Sequence, residues 1–228
     1  MSTLLIAGAN RGLGLEFVRQ YNELGWRILA CCRKPEQADG LQRLAANSER
    51  RVSVHQLDVD NHAQIKALSM SLADTPIDIL LCNAGFYGKR RLALDQLDFV
   101  QMQQILWTNS IGPIAMAQAF EDQVAASELK LIAAITSKMG SIGDNQSGGA
   151  YAYRAGKAAL NAMVKSLSLD LAPRGIRALV LHPGWVKTDM GGPNALIDAP
   201  TSIRGMRAVM ERAETGMFYN YDGQVIPW

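Results

Sequence analysis

The feature that most constrains the fold is a regular alternation of short apolar runs with longer amphipathic runs. The short runs predict strands at 3–7, 27–32, 52–57, 77–82, 130–136 and 177–181. These runs are apolar almost throughout, which is the pattern of a parallel sheet that is covered on both faces. The longer runs predict helices at 13–24, 36–47, 63–73, 97–126 and 153–172. The sequence therefore predicts a doubly wound α/β fold, a mostly parallel sheet of about seven strands with helices on both faces.

Composition supports a single domain over residues 1–228. The 228 residues are 48% hydrophobic and 19% charged, and no Pro/Gly/Ser-rich linker divides them. The net charge of +2, without a basic run, argues against nucleic acid and against an anionic membrane surface. No apolar run approaches the ~20 residues that cross a bilayer, and the short apolar N-terminus reads as a strand rather than a signal peptide.

The cysteines and histidines point to a cytoplasmic protein without a metal. Cys31, Cys32 and Cys82 fall in predicted buried strands, where they are expected to be reduced thiols. The three histidines are scattered among unlike elements, so no metal site is predicted.

Ligands of such folds bind at the carboxyl ends of the strands, where the first loop is rich in glycine. Residues 8–14 read Gly-Ala-Asn-Arg-Gly-Leu-Gly and open the first helix. Glycines let the backbone approach a pyrophosphate, and the helix N-terminus supplies amide donors. The spacing differs from the commonest dinucleotide fingerprint, and a purely structural turn is the alternative.

The end of the second strand indicates which dinucleotide binds. An NAD enzyme places an acidic residue there, whereas this chain has Arg33 and Lys34 and no carboxylate before Glu36. Arg33 is placed to grip a 2′-phosphate, with help from Arg11. NADP(H) is therefore favoured over NAD(H); the alternative is that these are solvated loop charges.

Tyr153 and Lys157 are the candidate proton-transfer pair. Residues four apart lie on one face of a helix, and an ammonium close to a phenol lowers its pKa from the usual value near 10. Such a pair can pass a proton to a carbonyl oxygen and take it back. The spacing is common by chance, so the pair is weak evidence alone, and a half-buried packing tyrosine is the alternative.

Pro113 makes Asn109 a candidate functional residue for a separate reason. A helical proline cannot donate to the carbonyl four residues back, so the carbonyl of Asn109 should be free to bind a water or a side chain. A simple kink is the other interpretation.

These pieces together resemble the short-chain dehydrogenase/reductase family, whose members have a Rossmann fold. The matching segments, in order, are the glycine loop at 8–14, Leu-Asp-Val at 57–59, Asn-Ala-Gly at 83–85, Asn109, Ser137, Tyr-Arg-Ala-Gly-Lys at 153–157 and Pro-Gly-Trp-Val-Lys-Thr at 183–188. The segment 222–228 and Cys-Arg-Lys-Pro at 32–35 resemble the C-factor/sniffer branch of carbonyl reductases.

The resemblance implies an NADPH-dependent carbonyl reductase or alcohol dehydrogenase. Tyr153 would be the general acid/base, Lys157 would lower its pKa and bind the nicotinamide ribose, Ser137 would bind the carbonyl oxygen, and Asn109 would hold a water. The implied cofactor residues are Gly8, Asn10, Arg11, Gly12, Leu13, Gly14, Arg33, Asp58, Val59, Asn83, Ala84, Gly85, Tyr153, Lys157, Pro183, Gly184, Val186 and Thr188. For Asp58, capping of the next turn is an alternative to binding adenine. The other functional class considered is an NADP(H)-binding sensor or signalling protein with little turnover.

The chain departs from the family pattern in two places. Ser137 and Tyr153 are sixteen residues apart, which predicts a longer loop at 144–149. This spacing also makes Ser141 an alternative to Ser137 and Tyr151 an alternative to Tyr153. Gly156 precedes Lys157 where the family often has serine, at a cost of roughly 1 kcal/mol to the helix.

The substrate side of the site is less sharply defined. Residues 188–212 contain Gly, Pro and apolar side chains and predict a mobile lid, with an ordinary surface loop and helix as the alternative. Phe86, Met139 and Trp185 follow strand ends and are expected to line a pocket for a small hydrophobic ketone or aldehyde. The helices equivalent to 97–126 and 153–172 often pair subunits in this family, so the resemblance implies a homodimer or a homotetramer.

Overall fold

A computed structural model describes residues 1–89 and 92–228 of the chain. Its strands are β1 (Thr3–Ala7), β2 (Arg27–Cys32), β3 (Val52–Gln56), β4 (Ile79–Cys82), β5 (Leu131–Ile135), β6 (Arg177–His182) and β7 (Phe218–Asn220). Its helices are α1 (Gly12–Glu23), α2 (Asp39–Ala46), α3 (His62–Ser71), α4 (Phe99–Leu106), α5 (Gly112–Ala125), α6 (Tyr151–Asp170) and α7 (Ala199–Arg212). The strands form one parallel sheet in the order β3-β2-β1-β4-β5-β6-β7. The predicted doubly wound α/β fold is confirmed.

The sheet separates two hydrophobic cores. One core contains Phe120 of α5 and Leu160 of α6, and the other contains Phe17 of α1 and Ile203 of α7; all four side chains are fully buried. Successive strand residues point to opposite faces, so both sets must be apolar. This arrangement explains why the strands read as continuous apolar runs.

The order of the strands in the sheet determines where the candidate site lies. β1 lies between β2 and β4, and the winding direction reverses there, which opens a crevice at the carboxyl edge of the sheet. The glycine loop follows β1, and the segment 83–85 follows β4. The two loops therefore meet at the crevice.

The predicted lid over 188–212 is wrong in its second half. Residues from Ala199 onward form helix α7, which packs against α1. Met206 and Met210 are almost completely buried in the core that contains Phe17, so they are not available to a substrate. Only the segment 188–198 keeps the character of a loop.

The predicted helix 97–126 is interrupted at its middle. The chain passes from α4 into α5 through a π-helical turn, Trp107–Ile111, directly before Gly112 and Pro113. Proline has no N–H to donate, and a wider turn is one way to accommodate that loss. The interruption puts Asn109 inside the π-helical turn.

None of the helices found in residues 1–89 and 92–228 combines the length and the apolarity that a bilayer crossing requires.

Candidate active site

The glycine loop and the loop after β4 pack backbone against backbone. Gly8 has a φ of +83°, and a Cβ placed there would lie 2.8 Å from the Cα of Ala84. A Cβ on Gly14 would lie 1.9 Å from the carbonyl oxygen of Gly8. The Asn83 amide donates to the same Gly8 carbonyl over 2.8 Å. The loop therefore has no room for side chains at these two glycines, as a close approach of backbone to a ligand requires.

The N-terminus of α1 fits an anionic group. Arg11 is the N-cap residue and its side chain makes no capping hydrogen bond, which leaves first-turn amides for a phosphate. The Arg11 guanidinium forms an exposed ion pair with Asp189, 2.6 Å from Nη1 to Oδ2. Thr188 lies beside Gly12. The loop after β6 thus reaches across the crevice to the glycine loop.

The end of the crevice beside β2 and β3 carries two exposed cations, Arg33 and Lys34, and two carboxylates. Arg33 is exposed at the end of β2. The Asp58 carboxylate accepts from the Asp60 amide over 3.1 Å, which is the turn-capping role considered for it. Burial raises the pKa of Asp60, and a hydrogen bond from Thr108 opposes the rise. Val59 is buried between these carboxylates.

Lys157 is buried beneath the ring of Tyr153. Its Nζ donates to the carbonyl oxygen of Ile135 over 2.7 Å and lies 5.9 Å from the centroid of the Tyr153 ring. Burial lowers the pKa of Lys157 to about 8. The structure therefore brings together the two residues that the sequence placed on one helix face.

Asn109 and Gly85 complete the surroundings of that amine. Asn109 is fully buried, and its side-chain amide both accepts from the Phe86 amide and donates to the Phe86 carbonyl, each over 2.9 Å. A Cβ on Gly85 would lie 3.0 Å from Asn109 Oδ1 and 3.5 Å from Lys157 Nζ. The loop after β4 is therefore tied to the helix pair that carries the candidate site.

Ser137 and its rival Ser141 have different surroundings. Ser137 lies at the end of β5, and its hydroxyl accepts from the Met139 amide over 3.1 Å. Ser141 is almost completely buried and donates to the Trp228 carbonyl over 3.3 Å. Ser141 is thus engaged with the C-terminal segment, and Ser137 remains the candidate hydroxyl.

An aromatic residue that the sequence reasoning did not single out lies against Tyr153. The ring of Tyr87 stacks on the ring of Tyr153, with centroids 4.4 Å apart and planes 27° apart. The Tyr87 hydroxyl lies 3.9 Å from the sulfur of Met139. Its position two residues after Gly85 was the available signal, but sequence alone does not tell where a loop side chain turns.

The loop after β6 is tied to itself. Gly184 has a φ of +81°, and Ser202 of α7 donates to the Pro183 carbonyl. The Trp185 indole donates to the Gly191 carbonyl over 2.8 Å while half of the residue stays exposed. Val186 is buried and pairs with Ile197. Trp185 thus braces this loop as well as standing near the crevice.

Within residues 1–89 and 92–228, no group of three or more His, Cys, Asp or Glu side chains is placed to hold a metal ion. The three cysteines are free and buried.

Replacing Lys157 with methionine is expected to stabilise the fold by about 2 kcal/mol at pH 7, because removal of the desolvated ammonium outweighs the lost hydrogen bond. The folded pKa of about 8 lies below the unfolded value of 10.5, so the cost of the buried charge is fully present below pH 8. It disappears as the pH rises to 10.5. Urea unfolding of both proteins should show a difference in the free energy of unfolding that narrows between pH 8 and 10. A difference that does not depend on pH would contradict this prediction.

The model of the short chain dehydrogenase family matches residues 2–196. The chain belongs to this family. The relatives of the family include C-signal from Myxococcus xanthus, which is 41% identical over 167 residues that cover 72% of this chain and 100% of that protein. Membership makes the chain an oxidoreductase of the short-chain dehydrogenase/reductase type.

Two solved structures of the family are similar over essentially the whole chain. The carbonyl reductase Sniffer of D. melanogaster superposes with a TM-score of 0.92 at 34% identity, covering 100% of both chains. The NADPH-bound carbonyl reductase from chicken fatty liver superposes with a TM-score of 0.90 at 33% identity, covering 100% of this chain and 98% of that one. The predicted likeness to sniffer-type carbonyl reductases is confirmed.

Proposed function

We propose that this chain is an NADPH-dependent reductase of small hydrophobic ketones or aldehydes, with Tyr153 as the general acid/base. The observation that carries the proposal is the buried Lys157 ammonium beneath the Tyr153 ring, at the carboxyl edge of a dinucleotide-binding sheet. A structural tyrosine does not need a desolvated cation below it, whereas a proton-transferring tyrosine gains from one.

Each polar residue of the site has a task in this reaction. Tyr153 donates a proton to the substrate oxygen, and the Lys157 ammonium stabilises the phenolate that remains. The Ser137 hydroxyl donates to the same oxygen and stabilises the charge that develops on it. The main-chain carbonyl of Asn109 holds a water that links Lys157 to solvent, so that the Tyr153 phenolate regains its proton from solvent by way of Lys157. NADPH, when bound, supplies the hydride that the carbonyl carbon receives.

The cofactor assignment combines the chain's residues with its relatives. The glycine loop and the uncapped α1 receive the pyrophosphate, and Arg33 receives the 2′-phosphate. The preference for NADP(H) over NAD(H) agrees with the NADPH-bound carbonyl reductase from chicken. Asn83, Ala84, Pro183, Gly184, Val186 and Thr188 stay predicted contacts of this cofactor.

Replacing Arg33 with aspartate is expected to weaken NADPH binding by about 10- to 100-fold, because a charge-assisted contact is exchanged for repulsion of the 2′-phosphate. NADH has no such phosphate, so its affinity should change by less than threefold. Fluorescence titration of both nucleotides checks this, with Arg43→Asp on exposed α2 as the matched charge control. Equal losses for NADPH and NADH would contradict the assignment of Arg33, and a wild-type preference for NADH would contradict the assignment of the cofactor.

The substrate pocket is proposed from apolar residues that follow strand ends at the carboxyl edge of the sheet. Phe86, Met139 and Trp185 supply apolar surface, and the loop 188–198 would cover the substrate as a lid. Such a lining suits a small hydrophobic ketone or aldehyde better than a charged one. The cytoplasm and a homodimeric or homotetrameric assembly stay predictions.

A panel of aromatic and aliphatic aldehydes and ketones, followed by loss of NADPH absorbance, tests the function. Turnover that depends on both carbonyl and enzyme supports a reductase. A second candidate, an NADP(H)-binding protein with a signalling role and little turnover, is favoured by the 41% identity to C-signal. Tight nucleotide binding without turnover on any member of the panel would favour this second candidate.

A further inference from the structure

The first turn of α6, which carries Tyr153, has little support of its own. The preceding residue, Ala150, is the N-cap and has a φ of +48°, and no side chain caps the helix. Gly148 and Gly149 also have positive φ, and no atom of residues 1–89 and 92–228 lies within 4 Å of a Cβ built on either. A helix start without a cap, after two unsupported glycines, frays unless other elements hold it.

Contacts from outside the helix hold this turn. On one side, the Arg154 guanidinium donates to the Met139 carbonyl over 3.3 Å and to the Ser147 hydroxyl over 3.0 Å. On the other side, Tyr87 stacks on the Tyr153 ring itself. The stack therefore acts directly on the phenol.

Tyr87 stands on a rigid support. The Asn109 side chain binds both the N–H and the carbonyl of Phe86, the residue before it. A Cβ on Gly88, the residue after it, would lie 2.6 Å from both Gln101 and Ile105 of α4. The backbone of the loop is thus clamped between these neighbours on both sides of Tyr87.

We propose that Tyr87 is a positioning residue that holds the phenol of Tyr153 in place over Lys157 by aromatic stacking. The inference rests on the proposed function, because it assigns Tyr87 a part in the same proton transfer. The proposal assigns the positioning to the ring, because stacking needs an aromatic face.

Among the residues that the structure describes, the Lys157 ammonium lies against the Tyr153 ring, 5.9 Å from its centroid, where it favours the phenolate. Lys89 and Asp98 line the pocket next to both tyrosines, and they pair with each other at 3.5 Å. Arg154 on α6 points to Met139 and Ser147, and Tyr151 is half exposed. A displacement of the phenol from Lys157 should therefore raise its ionisation midpoint.

Two substitutions of Tyr87 separate the ring from the hydroxyl. With NADPH and 4-nitrobenzaldehyde, Tyr87→Phe should keep kcat within twofold of wild type, whereas Tyr87→Leu should lower kcat at least tenfold with the NADPH dissociation constant within twofold. Tyr151→Leu removes a ring from the same pocket without touching the stack and should keep wild-type kcat. The proposal is overturned if Tyr87→Leu has the same kcat as wild type. It is also overturned if the kcat of Tyr87→Leu falls only in proportion to the folded protein that is lost.

Ionisation of Tyr153, followed at 295 nm in the NADP⁺ complex, tests the positioning without turnover. Each Tyr87 variant is titrated with Tyr153 and with Tyr153→Phe, and the difference isolates Tyr153. Tyr87→Leu should raise the midpoint by at least 0.5 pH unit, and Tyr87→Phe should not. An unchanged or lowered midpoint means that the ring only shields the phenol and overturns the proposal. If wild type reduces no carbonyl, the proposed function fails and this titration still decides the role of Tyr87.

Discussion

Replacing Tyr153 with phenylalanine is expected to lower kcat for carbonyl reduction by about 100- to 10,000-fold, the range that positioned general acid–base catalysis contributes. The substitution removes one oxygen and keeps the ring, so the stack with Tyr87 and the packing over Lys157 are retained. The dissociation constant for NADPH should therefore stay within about threefold of wild type. Single-turnover measurements with saturating NADPH separate the chemical step from binding.

The matched control for this prediction lies two residues away. Tyr151→Phe removes the same oxygen from a half-exposed side chain in the same turn of α6 and should leave kcat within twofold of wild type. Full turnover by Tyr153→Phe, with normal NADPH affinity, would remove Tyr153 from the mechanism. A loss in both variants would point to the helix start instead of the phenol.

The sheet could be predicted because its physics is local. Each central strand is buried on both faces, so strands such as β1 and β6 read as unbroken apolar runs. The position of β7 could not be predicted from the sequence, because this strand is only three residues long and has one fully buried side chain. Its place in the sheet is decided by pairing with β6, a contact between distant parts of the chain.

The candidate site divides in the same way. Tyr153 and Lys157 are one helical turn apart, so their sequence spacing already determines that they share a face. Tyr87, by contrast, comes from a loop 66 residues earlier, and its stack on Tyr153 depends on the clamps at Phe86 and Gly88. No periodicity encodes such a contact.

The lid shows why a composition argument fails at a core helix. Met206 and Met210 resemble the apolar residues of a substrate cover, but they lie one turn apart on the buried face of α7, in the core that contains Phe17. The helical spacing of the two methionines was a better guide to their position than the predicted mobility of the segment. The preceding loop differs, because Asp189 and Trp185 tie it to neighbours through polar contacts at its surface.

Replacing Gly14 with alanine is expected to lower the free energy of unfolding by about 3 kcal/mol or more and NADPH affinity by at least about tenfold, as overpacking against fixed backbone does. The added Cβ would lie 1.9 Å from the Gly8 carbonyl oxygen and 2.7 Å from the Asn83 amide nitrogen. Neither can retreat without breaking the hydrogen bond between them, and that bond joins the glycine loop to the loop after β4. Urea unfolding and fluorescence titration with NADPH measure the two effects.

Gly156→Ala is the matched control, because both glycines lie within helices and neither needs a positive φ. A Cβ on Gly156 would make ordinary contacts, 3.4 Å from the Asn109 Cβ and 3.5 Å from Ile105, so alanine should stabilise α6 by roughly 1 kcal/mol. The same chemical change is thus expected to have opposite signs at the two positions, since helix propensity favours alanine at both and only the space around the Cβ differs. A stable Gly14→Ala protein with wild-type NADPH affinity would show that the glycine loop does not pack against residue 83 in the way that the site requires.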